Sequence, residues 1–493
     1  MILELVLVVA VISLLLYLFN ENCRPSKFPP GVWRLPVIGS LPFLKMPLHE
    51  HFTTLSKKYG KIFSLYIGNF PTVVISDANM IREAFKLDAL NGRPDSRVFT
   101  ERSWGKKRGI IFNEGKDWTE QRRFALKNLR DFGFGKGTME QLILDEVCSF
   151  REYLKKFTGS PVSLNREFNL PVLNALWHLI AGERFSFDDQ RLRAIIKKLV
   201  DNFKAADAGG AIFFFPWFTK LAPKLSGWEA FFSVLKPTMT FLSEPVDEHR
   251  KTFNPDNLRD LIDVYLNEIS KTTDKTSGFY KDDGDKTIKT VMLDLFVAGA
   301  ETVSTTLNYS LLYLINFPEV QEKLQKEIAT NIGSKLPSLS DRPKMQYLEA
   351  FIAETLRYSS FVPNGVFHCA LETVEFNGYV IPKGTNIFPN LWQVHFDEAV
   401  WGDPKNFRPD RFIDENGHYK KNDNLMPFSV GKRVCLGESL ARDEIFLFLT
   451  SLLQKFSFEP EVKGSPPSME ASKQGGLILQ PQEYKVVLKE RTV

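Results

Sequence analysis

Cys435 stands in Pro427-Phe428-Ser429-Val430-Gly431-Lys432-Arg433-Val434-Cys435-Leu436-Gly437, directly ahead of a stretch from Glu438 to Leu447 that reads as a helix. A cysteine at a helix N-terminus meets the positive end of the backbone dipole, and a nearby arginine adds a second stabiliser of negative sulfur, so the ionised form is favoured. Gly431 and Gly437 let a flat, bulky partner approach the sulfur without striking a Cβ. Phe428 shields the sulfur from water, and backbone N–H groups of the tight loop would set its electron donation. A buried, inert cysteine is the alternative, and the flanking residues weigh against it.

Three further constellations carry chemistry. Ala298-Gly299-Ala300-Glu301-Thr302 puts small residues, against which something large can lie, beside an acid and a hydroxyl that can pass protons. Trp118 and Arg122, four apart on a helix, can jointly donate hydrogen bonds to carboxylates, although such pairs also snorkel on ordinary helices. Glu354 and Arg357, three apart, share one helical face.

Phe-x-x-Gly-x-Arg-x-Cys-x-Gly, from Phe428 to Gly437, resembles the haem-ligand signature of the cytochromes P-450. The resemblance implies heme b bound through the Cys435 thiolate, which pushes electron density to the iron and favours O–O cleavage. It implies that Arg433, Trp118 and Arg122 hold the haem propionates, with Arg93 and His368 as further candidates. Ala-Gly-x-Glu-Thr resembles the family's oxygen-activation motif, with Glu301 and Thr302 delivering protons. Glu354 and Arg357, taken with Phe407-Arg408-Pro409-Asp410-Arg411-Phe412, resemble the family's Glu-x-x-Arg pair locked to a downstream arginine, a structural clamp that includes Arg411. Val362 to His368 would line the substrate pocket, and a turn at Gly475-Gly476-Leu477-Ile478 would point into it.

The elements that must position these groups are mainly α, with a minor β-sheet region. Thr287 to Phe317 reads as one long helix with Val291, Leu295, Ala298, Thr302 and Thr305 along one side. Lys61 to Ser76 reads as a hairpin around Gly68-Asn69, and Tyr379 to Ile387 as two strand pieces around Pro382-Lys383-Gly384. Asn174 to Phe187 reads as an amphipathic helix with His178 in the core. Ile212 to Phe218 is either core or a membrane-facing entrance, the second being favoured. Leu5 to Phe19 approaches the roughly 20 apolar residues that span a bilayer. Arg24 and Lys27 after it place the body in the cytosol by the positive-inside tendency. We expect an anchor over 1–20, a basic and proline-rich hinge over 21–42 acting as a spacer, and one large haem domain with the cytochrome P-450 fold over 43–493.

At 493 residues, 43% hydrophobic and 25% charged, the chain is long enough for a large core and far from the disordered class. Cys23, Cys148, Cys369 and Cys435 show neither disulfide nor zinc-site spacing. A net charge of +4 is too mild to imply nucleic-acid binding. Gly133-Phe134-Gly135-Lys136-Gly137 does not spell a dinucleotide fingerprint, so electrons must come from another protein.

The resemblance to microsomal members implies an endoplasmic reticulum monooxygenase that hydroxylates or epoxidises a lipophilic substrate. Its electrons would come from NADPH through a separate flavoprotein, the NADPH–cytochrome P-450 reductase, with cytochrome b5 as a second donor. Arg122, Arg123, Lys127, Arg130 and Lys432 would dock that partner. Trp118 to Gly137 and Leu258 to Leu266 resemble arthropod members, for which methyl farnesoate epoxidation in juvenile hormone synthesis is plausible. Xenobiotic or ecdysteroid hydroxylation are alternatives within the class. A peroxide-using isomerase or dehydratase and a non-catalytic haem sensor or carrier lie outside it; Glu301 beside Thr302 argues against the first, and in the second Thr302→Ala would leave every activity untouched.

Overall fold

In the computed structural model, residues 12–13, 16–17, 24–134, 137–205, 211–472 and 477–491 are described. The anchor expected over 1–20 therefore lies almost wholly outside the described residues, as do Gly475 and Gly476. Among the described residues no helix is long and apolar enough to cross a membrane.

Helix α1 (Leu48–Tyr59) leads into β1 (Ile62–Ile67) and β2 (Phe70–Ile75), which form the expected antiparallel hairpin. Its turn uses Gly68 at φ 59°, a left-handed conformation that glycine adopts without penalty. Part of the segment read as a spacer joins this sheet. Val32 N–H donates to Ser64 O (2.9 Å) and Ser64 N–H to Pro30 O (2.8 Å), and a Cβ on Gly31 would lie 1.7 Å from Ser64 O. Arg24 secures the same joint by donating to Pro29 O (2.9 Å) and Val32 O (2.8 Å).

The helical body comprises α2 (Gly115–Asp131), α3 (Gly137–Lys155), α4 (Asn169–Ala181), α5 (Trp228–Thr252), α6 (Leu261–Lys271), α7 (Lys281–Asn316), α8 (Gln346–Ser359) and α9 (Glu438–Lys455), with shorter helices between. Helix α7 packs against α4, α5, α6, α8 and α9. Being buried on several faces, it cannot present a single apolar stripe. Where it meets α4, Trp177 and Phe296 are T-shaped at 5.7 Å, worth about 0.5–1.5 kcal/mol beyond their burial.

Helix α4 corrects the amphipathic reading: every residue of it is buried except His178, which is exposed and not a core residue. It also stops earlier than expected, at Ala181, because Gly182 takes the left-handed C-cap (φ 66°). The phenylalanine-rich stretch divides. Phe214 and Phe215 are buried, whereas Trp217, Leu221 and Leu225 just beyond are 45%, 78% and 83% exposed.

Strands β3 (Pro161–Val162), β4 (His368–Cys369), β5 (Val374–Phe376), β6 (Tyr379–Ile381), β7 (Asn386–Pro389), β8 (Phe456–Pro460) and β9 (Val486–Glu490) complete three small sheets ordered β1-β2-β7-β4, β3-β9-β8 and β5-β6. The Pro382-Lys383-Gly384 turn does join two strand pieces, but β6 and β7 enter different sheets.

One buried tie between α5 and α6 predicts a pH effect. His249 Nδ1 lies 2.8 Å from Pro245 O and Nε2 lies 2.7 Å from Asp260 Oδ2, so both ring nitrogens face acceptors and imidazolium satisfies both. Burial pushes its pKa down, but the Asp260 hydrogen bond and charge prevail and raise it above the ordinary 6.5. The tie is therefore fully present below the unfolded value and is lost as pH rises through the folded one. We expect His249→Gln to cost about 1.5 kcal/mol at about pH 6 and clearly less at about pH 9, read as the gap in thermal midpoint from wild type.

Candidate active site

The loop ahead of α9 is shaped by its own backbone. Gly431 sits at φ 78°, and a Cβ there would lie 2.3 Å from Phe85 O, so this glycine serves chain geometry rather than the approach of a ligand. A Cβ on Gly437, by contrast, would meet no protein atom, and Gly437 lines a cavity of about 300 Å3 together with Cys435. Cys435 N–H donates to Phe428 O (2.9 Å), which closes the loop.

The expectation of a ready-made thiolate is corrected. Cys435 is open to the cavity, yet the protein packed around its sulfur desolvates the thiol and pushes it up, which outweighs the Gly437 N–H and the Arg122 guanidinium that pull the other way. The cation acting on the sulfur is thus Arg122, which also donates to Val434 O (2.6 Å), and not the sequence-adjacent Arg433. Such a thiol ionises when a metal cation replaces its proton.

Helix α2 and two loops converge beside the sulfur. Arg433 stacks 3.7 Å over the Trp118 ring and donates to Asn91 O (2.9 Å) and Asn113 O (2.8 Å). Arg93 donates through Nε to Ile111 O (2.8 Å) and through Nη1 to Phe367 O (2.9 Å). Burial and mutual repulsion push Arg433 down to about 8, and burial with Arg122 nearby pushes Arg93 down to about 9, with Glu114 as the opposing charge. Glu114 is already engaged with the Arg93 N–H (2.8 Å) and Lys107 (3.0 Å).

Two buried donors at this spot, Arg433 Nη1 and Trp118 Nε1, have no hydrogen-bond partner among the described residues. Leaving such a donor unpaired costs about 1–3 kcal/mol, more when it is charged. Surplus positive charge and unpaired donors beside a cavity-facing sulfur fit a group that carries both a metal and carboxylates. His368 also lines the cavity, stacked 3.8 Å on Phe85. Its Nδ1 lies 3.0 Å from Leu90 O, which can only accept, so Nδ1 carries the proton. Burial and Arg93 hold the ring neutral, so Nε2 accepts rather than donates, contrary to a role as carboxylate donor.

Helix α7 supplies another wall. Leu295, Ala298, Gly299, Thr302 and Thr306 face the cavity. Of the stripe expected from sequence, Val291 is buried away from it and Thr305 turns toward Gln480. Thr302 Oγ donates to Ala298 O (3.0 Å). Glu301 is not in the wall: its carboxylate accepts from Asn169 Nδ2 (3.1 Å) and from Gln480 Nε2.

Asp294 was not singled out from sequence, yet it fixes the adjoining wall. Its carboxylate accepts from Arg102 and from the N–H groups of Ile110 (2.6 Å) and Ile111 (3.0 Å). The available signal was a lone acid inside the apolar run Met292-Leu293-Asp294-Leu295-Phe296, facing a basic loop. Behind the site the expected clamp is assembled. Arg357 donates to both oxygens of Glu354 (2.7 and 2.8 Å), and Arg411 Nε (3.0 Å) and Arg408 N–H (2.8 Å) join at Oε1.

A mostly helical frame that presents a cysteine at a helix start to an apolar cavity, with cations and unpaired donors at its edge, defines the haem-thiolate class of proteins. The Cytochrome P450 family model matches residues 29–488, and the chain belongs to this family of haem monooxygenases. It is 40% identical over 448 residues to Cytochrome P450 2J2 of Homo sapiens, covering 90% of this chain and 88% of that protein. It is 35% identical over 495 residues to the Farnesoate epoxidase of Bombyx mori, covering 99% of each. Cytochrome P450 2L1 of Panulirus argus is 35% identical over 484 residues, 96% of this chain and 97% of that protein.

Proposed function

We propose that the chain is a membrane-attached monooxygenase that inserts one atom of O2 into a neutral, lipophilic substrate. The single observation carrying this reading is that Cys435 and Thr302 border one cavity whose remaining walls, among them Ile110, Leu176, Leu295, Phe361 and Val362, are largely apolar. Cys435 would ligate heme b, and Arg433, Trp118, Arg122 and Arg93 would hold its propionates. When bound, the haem supplies the oxidising chemistry.

The chain's own residues do the rest. Apolar walls exclude water and orient the substrate by shape. Asp294 keeps Ile110 and Ile111 in place with its charge already neutralised by Arg102. The Thr302 hydroxyl gives up its bond to Ala298 O by turning about Cβ–Oγ, which points its proton into the cavity, and Glu301 replenishes it.

Electrons would come from NADPH through the reductase, with cytochrome b5 as a second donor. Arg123, Lys127 and Arg130 lie exposed on one face of α2 and make no ion pair among the described residues, which suits an acidic partner. Lys432 is less available, since it pairs with Asp88. Attachment to the endoplasmic reticulum membrane is supported by exposed Trp33, Ile38, Phe43, Trp217, Leu221 and Leu225. Their segments meet where Gly39 bridges Ile67 and Gly68 abuts Phe214 and Phe215. We assign 1–20 as anchor and 43–493 as catalytic domain; of 21–42, expected to be a hinge, residues 30–32 are fixed to β1.

Methyl farnesoate is the first substrate to test, because the Bombyx mori epoxidase aligns end to end; drug-like compounds and ecdysteroids are the comparators. The reconstituted enzyme with reductase and NADPH is offered this panel, and products are identified by mass spectrometry. Thr302→Ala should retain haem while product falls about tenfold and hydrogen peroxide rises. Turnover without NADPH, or full coupling in Thr302→Ala, would overturn the reading.

A further inference from the structure

Glu301 sits beside Thr302 in sequence, yet its carboxylate is held outside the cavity wall by side chains from two distant segments. Asn169, buried at the start of α4, donates from one amide nitrogen to Glu301 Oε2 (3.1 Å), Ala300 O (2.7 Å) and Ser304 Oγ (3.1 Å). Gln480, near the C-terminus, donates to Glu301 Oε1 and reaches Thr305 Oγ1 (3.4 Å). Each carboxylate oxygen thus accepts from an amide, and the two amides come from segments far apart in the chain.

The two arms differ in kind. Asn169 is locked onto the α7 backbone. Gln480 rides on a loop whose neighbour Leu479 donates its N–H to Phe361 O (2.7 Å), and Phe361 lines the cavity. The Gln480 arm is therefore joined to the wall that substrate touches.

We propose that Asn169 and Gln480 are positioning residues for proton delivery. They park the Glu301 carboxylate off the apolar cavity, where an unpaired charge would be costly, and the Gln480 arm ties its release to the state of the Phe361 wall. This rests on the reading that Glu301 replenishes Thr302. Neither partner belongs to the acid-and-hydroxyl pair, and each acts through Glu301 without touching substrate.

The test uses the full-length holoenzyme with reductase, comparing wild type, Gln480→Leu, Glu301→Gln and the double variant on one turned-over substrate. Gln480→Leu should raise peroxide released per product about fivefold at unchanged haem content, and should add nothing in the Glu301→Gln background. If Glu301→Gln alone leaves that ratio at the wild-type value, the proton-delivery reading fails. If Glu301→Gln raises it but Gln480→Leu does not, or if the two effects multiply, the clamp is overturned and the delivery reading stands.

A second readout does not depend on turnover. In ferric Glu301→Ala holoenzyme, amide hydrogen exchange across residues 479–484 should quicken about fivefold as the loop loses its anchor, and wild-type exchange would overturn the proposal. Should Gln480→Leu fail to fold, Gln480→Asn withdraws the same amide by one carbon and is read against the same outcomes.

Discussion

Cys435→His protein should take up haem and yet lose monooxygenation by at least about a thousandfold, a barrier increase of about 4 kcal/mol. Imidazole can ligate iron but cannot push electron density as a thiolate does. Neither of the other described free cysteines can stand in for Cys435. Cys148 does not line the cavity, and Cys369 is buried with its thiol pushed up to about 11. The check is the spectrum of the reduced, carbon monoxide-bound protein alongside product formation. A variant that keeps the thiolate-type Soret band, or wild-type turnover, would remove sulfur from the centre of the mechanism. The geometry adds a finer expectation. With its pKa raised by the protein around it, the thiol stays protonated until a metal displaces the proton, so haem uptake by wild type should release a proton that uptake by Cys435→His does not.

Glu354→Ala should cost about 3–5 kcal/mol, enough to take most of the stability of a folded domain, with haem lost in proportion. Glu354 and Arg357 are both 0% exposed, and the Arg411 side chain is 5% exposed. Removing the carboxylate strands the Arg357 guanidinium in a place that water cannot reach and takes from Arg411 one of its two carboxylate partners. Arg357 is left with carbonyls such as His395 O (2.8 Å), which satisfy hydrogens but not charge, while Arg411 keeps its ion pair with Asp403 (3.1 Å). An exposed pair makes the control: Asp88→Asn, which breaks the contact with Lys432, should change stability by less than about 1 kcal/mol. Urea midpoints and haem-to-protein ratios for the two variants decide the matter. Equal, small effects would mean that the clamp does not hold the fold.

What was legible in the sequence was local. The hairpin, the long helix and the Glu354–Arg357 pair declare themselves through spacing within a single element, and Arg411 through a motif. The groups that finish the site are joined across the chain: Asp294 to the loop at Ile110, Asn169 and Gln480 to Glu301. No periodicity announces such contacts. His178 misled because an apolar helix still has one edge in water, and a histidine tolerates that edge. Cys435 misled for a different reason. Helix dipole and arginine can be read from neighbouring letters, but the protein that gathers around the sulfur and outweighs them cannot.

The seam between residues 30–32 and β1 has a mechanical meaning. With Arg24 bonded to the carbonyls on either side of Gly31, and Gly31 flush against Ser64, the N-terminal segment meets the sheet as a bracket and not as a swivel. Residues 24–32 therefore belong mechanically to the body, and a pull on Arg24 is passed directly into β1.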